Sequence, residues 1–261
     1  MIRSAHTNNC RARGFTLVEL AVVLLITGLI VSGVFVVLRA QLEQRDRDET
    51  QRRLDAAREL LIGFALVNRR LPCPASGAAG GDEAPIGGGI CTNAYNGFLP
   101  ARTIGFQPVD AQGYALDAWG NRLRYAVSAS TWGSSPFARF TKRHVANDPA
   151  ANWNIDTTPG DLVVCSAGTA GNQAPGAGCA AGTSVTNQNA VVLVVYSTGK
   201  SGALVAPAAN SNAAENLDGD VLFVSRPPDP PDAPGGEFDH LLVWLPVSLL
   251  YSRMIAAGVL P

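Results

Sequence analysis

One acid stands inside a stretch of chain otherwise suited to hydrocarbon. From Phe15 to Leu38 the sequence runs 24 residues, and Glu19 is the only charged residue among them. An α-helix rises about 1.5 Å per residue, so roughly 20 apolar residues cross the hydrocarbon core of a bilayer. A carboxylate at that depth costs about 2.5–3.5 kcal/mol on insertion scales, so Glu19 requires a partner. Arg3, Arg11 and Arg13 precede the run, and no acid does. The positive-inside rule then keeps residues 1–14 in the cytoplasm and sends the chain beyond Leu38 across the membrane. A cleavable secretory signal would have an apolar core of about 7–15 residues with a small-x-small site after it. Here the run is longer, and Gly14 lies before it.

The helix is not expected to stop at the membrane. Between Arg39 and Glu59 six basic residues and six acids are interspersed. Glu43–Arg47, Asp48–Arg52 and Glu49–Arg53 stand at i,i+4 with the acid first, the more favourable order. No proline occurs from Phe15 to Leu71, so the pattern predicts one helix of about 55 residues. Leu54, Ala57, Leu61 and Phe64 recur at helical spacing and form a stripe that can lie on a sheet, with the charges as a solvated face. Gly28 and Gly33 are the weak points of the apolar half. Leu71-Pro72-Cys73-Pro74 ends the helix, because residues before proline avoid the α region.

Beyond it the chain is rich in Gly, Ala, Pro, Asn, Ser and Thr, as a loop-rich domain containing β-strands would be. A Gly/Ala-rich loop runs to about Ile90, and Phe98-Leu99-Pro100 opens a more ordered stretch. Residues 122–128, 161–165, 190–196, 221–225 and 238–245 read as strands, 190–196 buried on both faces by its run of valines. Asp117-Ala118-Trp119-Gly120-Asn121 reads as a turn, and residues 129–160 as an insertion. Arg226–Gly236 holds five prolines and must be a loop. Leu249, Leu250, Met254 and Ala257 suggest a short C-terminal amphipathic helix stopped by Gly258. A long helix followed by strands gives an α+β layer architecture.

Five cysteines are present, with Cys10 ahead of the apolar run. Cys73, Cys91, Cys165 and Cys179 remain, an even number in a compartment that permits disulfides. Three connectivities are open to them. The local pairs Cys73–Cys91 and Cys165–Cys179 are favoured, since each closes a Gly/Ala-rich segment, for about 3 kcal/mol apiece on the loop-entropy argument. A zinc site is disfavoured: there is no C-x-x-C, and no histidine lies near these cysteines in sequence.

Gly14-Phe15-Thr16-Leu17-Val18-Glu19-Leu20, behind a basic leader and ahead of a membrane-length helix, resembles the processing signal of the type IV prepilin and type II secretion pseudopilin family. Gly28 falls where such helices often carry glycine, whereas the proline common in their membrane half is missing. The resemblance implies residues 1–14 as a cleaved cytoplasmic leader, 15–38 as a transmembrane or filament-core half-helix, 39–70 as its extramembrane half, and 71–261 as a periplasmic or extracellular domain. It implies a pilin-like fold, a long helix on a small antiparallel sheet with loop insertions. A prepilin peptidase and N-methyltransferase would cut after Gly14 and methylate Phe15. Glu19 would then pair with the charged terminus of Phe15 in a neighbouring subunit, inside a low-dielectric core where opposite charge counts most. The partners implied are other pilin or pseudopilin subunits and an inner-membrane assembly platform. The location implied is the bacterial inner membrane, single-pass, with extraction into a filament.

Several domain segments resemble the major pseudopilin in particular. Asp117-Ala118-Trp119-Gly120-Asn121 followed by Tyr125 looks like its Asp-Pro-Trp-Gly-Asn-Pro-Tyr segment. Ser197-Thr198-Gly199, Gly202 and Asp218-Gly219-Asp220 follow the order of its calcium loop, with Ser201 standing where an acid is expected. Glu215, Asp218 and Asp220 are accordingly candidate Ca2+ ligands, hard oxygens in a polar loop; the rival reading is a strand-entry turn.

Other chemistry finds little footing. Gly199-Lys200-Ser201 lacks the upstream glycine of a phosphate loop, that position being Val194. There is no Gly-x-Ser-x-Gly and no His-Glu-x-x-His, and His240 reads as a surface or sheet-edge residue. Removing three leader arginines leaves the remainder net acidic, which is no footprint for nucleic acid. Trp119 and Trp244 are expected in the core, and Trp132 and Trp153 could meet a partner from the insertion. The reading is therefore a structural subunit and not an enzyme. The alternatives are a tip subunit that binds a surface, DNA or an exported substrate, and a membrane-anchored periplasmic enzyme.

Overall fold

A single helix, α1 (Leu17–Asn68), accounts for 52 residues of the computed structural model. The structure describes residues 14–78, 80–130, 139–143, 160–168, 171, 173–175, 178–179, 181–188, 190–203 and 209–260. Residues 1–13 of the expected leader lie outside these, as do Trp132 and Trp153. So do the side chains of 32–37 and 39, which belong to the expected membrane run and its end. Among the described residues no helix is long and apolar enough to cross a membrane.

The chain divides into two units, residues 1–45 and 46–261. In the first, the described apolar side chains from Phe15 to Val31 are exposed, Phe15 and Leu17 by 81% and 85%. The helix runs through Gly28 without interruption, although the Thr27 hydroxyl donates to the Val23 carbonyl at 2.8 Å, a bond that loosens a helix locally.

The second unit is built in three layers. Strands β1 (Gly97–Phe98), β2 (Arg124–Val127), β5 (Val191–Ser197) and β7 (Leu241–Pro246) pair antiparallel in the order β1-β2-β5-β7. Alternation along the strands sorts their side chains onto two faces. Tyr125, Val127, Leu193, Val195, Val243 and Leu245 meet Leu54, Ala57, Leu61, Ile62 and Ala65 of α1 and the C-terminal helix α4 (Val247–Ala256). Ala126, Val194, Tyr196 and Leu242 instead pack with Val164 and Phe223 of a second sheet and with Leu162 and Val221, which lead into its strands. That sheet has the order β4-β3-β6, from β3 (Val163–Ala167), β4 (Ala181–Ser184) and β6 (Leu222–Val224). All seven residues of β5 are buried, as a strand covered on both faces must be.

The second sheet departs from the expected single antiparallel one, since β3 and β6 run parallel. Its outer face carries a third small core of Val163, Cys165, Ala213, Leu222, Val224 and Phe238. The described residues also form the short helices α2 (Ala101–Ile104) and α3 (Asn212–Glu215), the latter capped by the Ser211 hydroxyl, which accepts from the Ala214 amide at 3.1 Å.

Four expectations need correction. Phe64 is only half-buried, because α1 turns it toward the Arg70 guanidinium, 5.0 Å from its ring, and off the sheet. Trp119 is half-buried in a turn and belongs to none of the three cores. His240 is buried, its Nδ1 3.0 Å from the Asn216 amide nitrogen, because the third core closes over the entry to β7. Burial holds its imidazole down at about 4. Arg53 is not part of a solvated face. It pairs with Glu49 at 2.9 Å and donates to the main-chain carbonyls of Leu116 and Asp117 at 3.1 and 2.8 Å.

Candidate functional site

The first candidate is the start of α1. Gly14, Phe15 and Thr16 precede the helix and are exposed, so the Gly14–Phe15 peptide bond is accessible and non-helical. Thr16 is the N-cap. Its hydroxyl oxygen accepts from the Glu19 amide at 3.2 Å, and the Glu19 carboxylate accepts from the Thr16 amide at 3.2 Å and its hydroxyl at 3.1 Å. This is a capping box, which satisfies two helix-terminal donors reciprocally. Its signature, Thr16-x-x-Glu19 ahead of an apolar run, stands in the sequence alongside the lone acid of that run. Glu19 therefore has a local role within one chain, whatever it meets beyond it.

The second candidate lies at the outer face of the second sheet. Glu215, Asp218 and Asp220 each offer a carboxylate oxygen within 4.8 Å of the others. Helix α3 delivers Glu215, and the turn into β6 delivers the two aspartates. Asp220 accepts from the Leu222 amide at 2.8 Å, and Asp218 from the Asp220 amide at 3.2 Å. Glu215 differs from both: it is 1% exposed, and among the described residues neither carboxylate oxygen has a hydrogen-bond partner. A buried acceptor left this way costs about 1–3 kcal/mol, and more when charged. Burial and the neighbouring Asp218 and Asp220 push its carboxyl up to about 8. Such a group calls for a proton or a cation, and a cluster of hard oxygens suits calcium. The spacing of acids was legible in the sequence; the burial of Glu215 was not, because it depends on β3 passing beside α3.

Ser197, Thr198 and Gly199 belong to a different network. The Ser197 hydroxyl donates to Asp117 at 2.6 Å, and the Asn121 side-chain amide donates to the Gly199 carbonyl at 2.6 Å. Ser201 donates to Asp239 through its amide and its hydroxyl, both at 2.8 Å. Asp117 also accepts from the Trp119 and Asn121 amides, and the Ala118 amide donates to Thr50 of α1. The Asp117–Asn121 turn thus ties α1 to the end of β5.

The cysteines form two local bonds. Cys73–Cys91 spans Cα atoms 5.3 Å apart and Cys165–Cys179 5.7 Å, both ordinary separations. The first stands beside a buried ion pair, with Arg70 donating to both Glu83 oxygens at 2.7 and 2.6 Å. Glu83 also accepts from the amides of Cys73 and Gly87 at 3.2 and 3.0 Å.

Residues 9–35 match the family described as the prokaryotic N-terminal methylation motif, the type IV prepilin and pseudopilin signal. The match covers the start of the chain alone. No curated protein and no solved structure matches the chain.

Proposed function

We propose that the chain is a pilin-like structural subunit. It is made as a precursor, cut after Gly14, N-methylated at Phe15 and drawn from the inner membrane into a helical filament of a type II secretion pseudopilus or a type IV pilus-like system. The methylation motif at residues 9–35 is the observation that carries this reading. Exposure of Gly14 and Phe15 ahead of the helix supports access by a prepilin peptidase. The described apolar side chains from Phe15 to Val31 are exposed, which supports a surface meant for lipid or for other subunits. In the assembled state the helices of neighbouring copies bury one another, and the Phe15 amino terminus of one copy pairs with Glu19 of the next. The domain from 71 onward is then a pilin-like domain carried on the outside of the filament.

Two substitutions separate the local role of Glu19 from this pairing. Glu19→Gln keeps a side chain that can close the capping box and removes the charge; Glu19→Ala removes both. We expect both variants to be cleaved after Gly14 and both to enter filaments poorly, read by shearing and immunoblot of the filament fraction. Normal incorporation of Glu19→Gln would mean that the capping role is sufficient and that no charge pair forms.

Glu215, Asp218 and Asp220 are read as a Ca2+ site that supports the fold of the domain rather than chemistry. The unpartnered buried carboxylate of Glu215 supports this over a simple strand-entry turn. When bound, the ion would stabilise the folded domain by mass action.

A further inference from the structure

Strand β3 ends at Ala167 and passes through Gly168 directly against Glu215. The Gly168 amide donates to the Asn212 side-chain oxygen at 3.0 Å. A Cβ at Gly168 would lie 2.8 Å from the Glu215 Cγ and 2.9 Å from its Cδ, so a larger residue there would displace the Glu215 side chain. Farther along, the Gly171 amide donates to Asp218 at 3.0 Å and the Gln173 amide to Asp220 at 2.6 Å. Cys179 then bonds to Cys165, returning the chain to the strand it left. Cys165 is fully buried and packs in the third core with Ala213 of α3, the helix that delivers Glu215. All three carboxylates therefore touch one segment, and a single covalent bond pins both of its ends.

We propose that Gly168, Gly171 and Gln173 roof a divalent-cation site, and that the Cys165–Cys179 bond holds this roof in place, so that oxidation and cation binding reinforce each other. The proposal rests on the calcium reading of the acidic cluster. Three carboxylates this close repel one another, and two amide dipoles aimed at Asp218 and Asp220 offset that repulsion in advance of the ion. The disulfide limits the freedom of the segment that supplies those amides, which lowers the ordering cost of binding. Coupling of this kind is reciprocal: a bond that raises cation affinity is itself protected by the cation. Thiols are kept reduced in a cytosol and oxidise outside it, so the site reaches full affinity only after export of the domain.

The test uses the full chain purified in detergent, with Ca2+ alone as titrant in calorimetry. The unaltered protein should bind Ca2+ saturably, and Asp218→Asn with Asp220→Asn should abolish binding. Cys165→Ser with Cys179→Ser should weaken binding at least about ten-fold, a charge-assisted hydrogen bond being worth that order. Cys73→Ser with Cys91→Ser should leave it within about two-fold. A second measurement needs no variant. A dithiol reductant opens Cys165–Cys179, its two thiols closing to a disulfide while each cysteine gains one electron and one proton. At equilibrium with the reductant couple, mass spectrometry of alkylated peptides should show Ca2+ shifting Cys165–Cys179 about ten-fold toward the disulfide, while the Cys73–Cys91 ratio is unchanged. No binding by the unaltered protein, or binding that survives the aspartate substitutions, would overturn the calcium reading and this proposal with it. Calcium binding with an unchanged equilibrium ratio of reduced to oxidised Cys165–Cys179 would overturn the coupling alone, and that ratio decides where the serine variant fails to fold.

Discussion

Glu83 and Glu215 are both buried acids in the second unit, and their surroundings assign them opposite tasks. Glu83 has its charge matched by Arg70 and its remaining acceptor sites filled by the Cys73 and Gly87 amides. It closes the exit of α1, beside a disulfide and the two prolines that stop the helix. Removing one partner of such a pair leaves the other charge buried and uncompensated, at a cost of about 3–5 kcal/mol. Glu83→Ala should lower the unfolding free energy by that amount in denaturant titration. A loss below about 1 kcal/mol would mean that the pair contributes no more than an exposed one. Glu215 has no such match. Its exposure of 1% sets it apart from an ordinary turn acid.

At the scale of elements, the second unit is organised by how α1 meets the sheet. Leu54, Ala57 and Leu61 were legible as a stripe because helical periodicity alone puts them on one face, and all three are fully buried. The valines of β5 were legible as a strand covered on both sides for a similar reason. Helix α3 and strand β4 were not. Four residues are too few to show a period, and Asn212–Glu215 forms around a Ser211 cap under a sheet that the sequence does not announce. The parallel pairing of β3 with β6 likewise depends on contacts between residues about 60 apart in sequence. Arg53 looked like one charge in a solvated run, yet it anchors the Asp117–Asn121 turn to α1. Arg53→Ala should cost about 1–3 kcal/mol in urea unfolding through its lost carbonyl contacts. Arg52→Ala, whose side chain is 77% exposed, should stay within about 0.5 kcal/mol. Equal effects of the two would return Arg53 to the solvated face.

For the whole molecule, the two units present different problems. Residues 46–261 bury their own core in three layers and tie their loops with two disulfides. Residues 14–45 hold a capped helix whose described apolar side chains are exposed. The proposed structural subunit, leaving a membrane for a filament, would account for both, its exposed helix covered first by lipid and then by its neighbours. The central claim is that this helix is released by a cut after Gly14. Mass spectrometry of the amino terminus, on protein recovered from cells that carry the prepilin peptidase, tests it most directly. The expected product is a mature chain that begins at N-methylated Phe15. A chain that keeps residues 1–14, or that begins beyond Leu38, would contradict it.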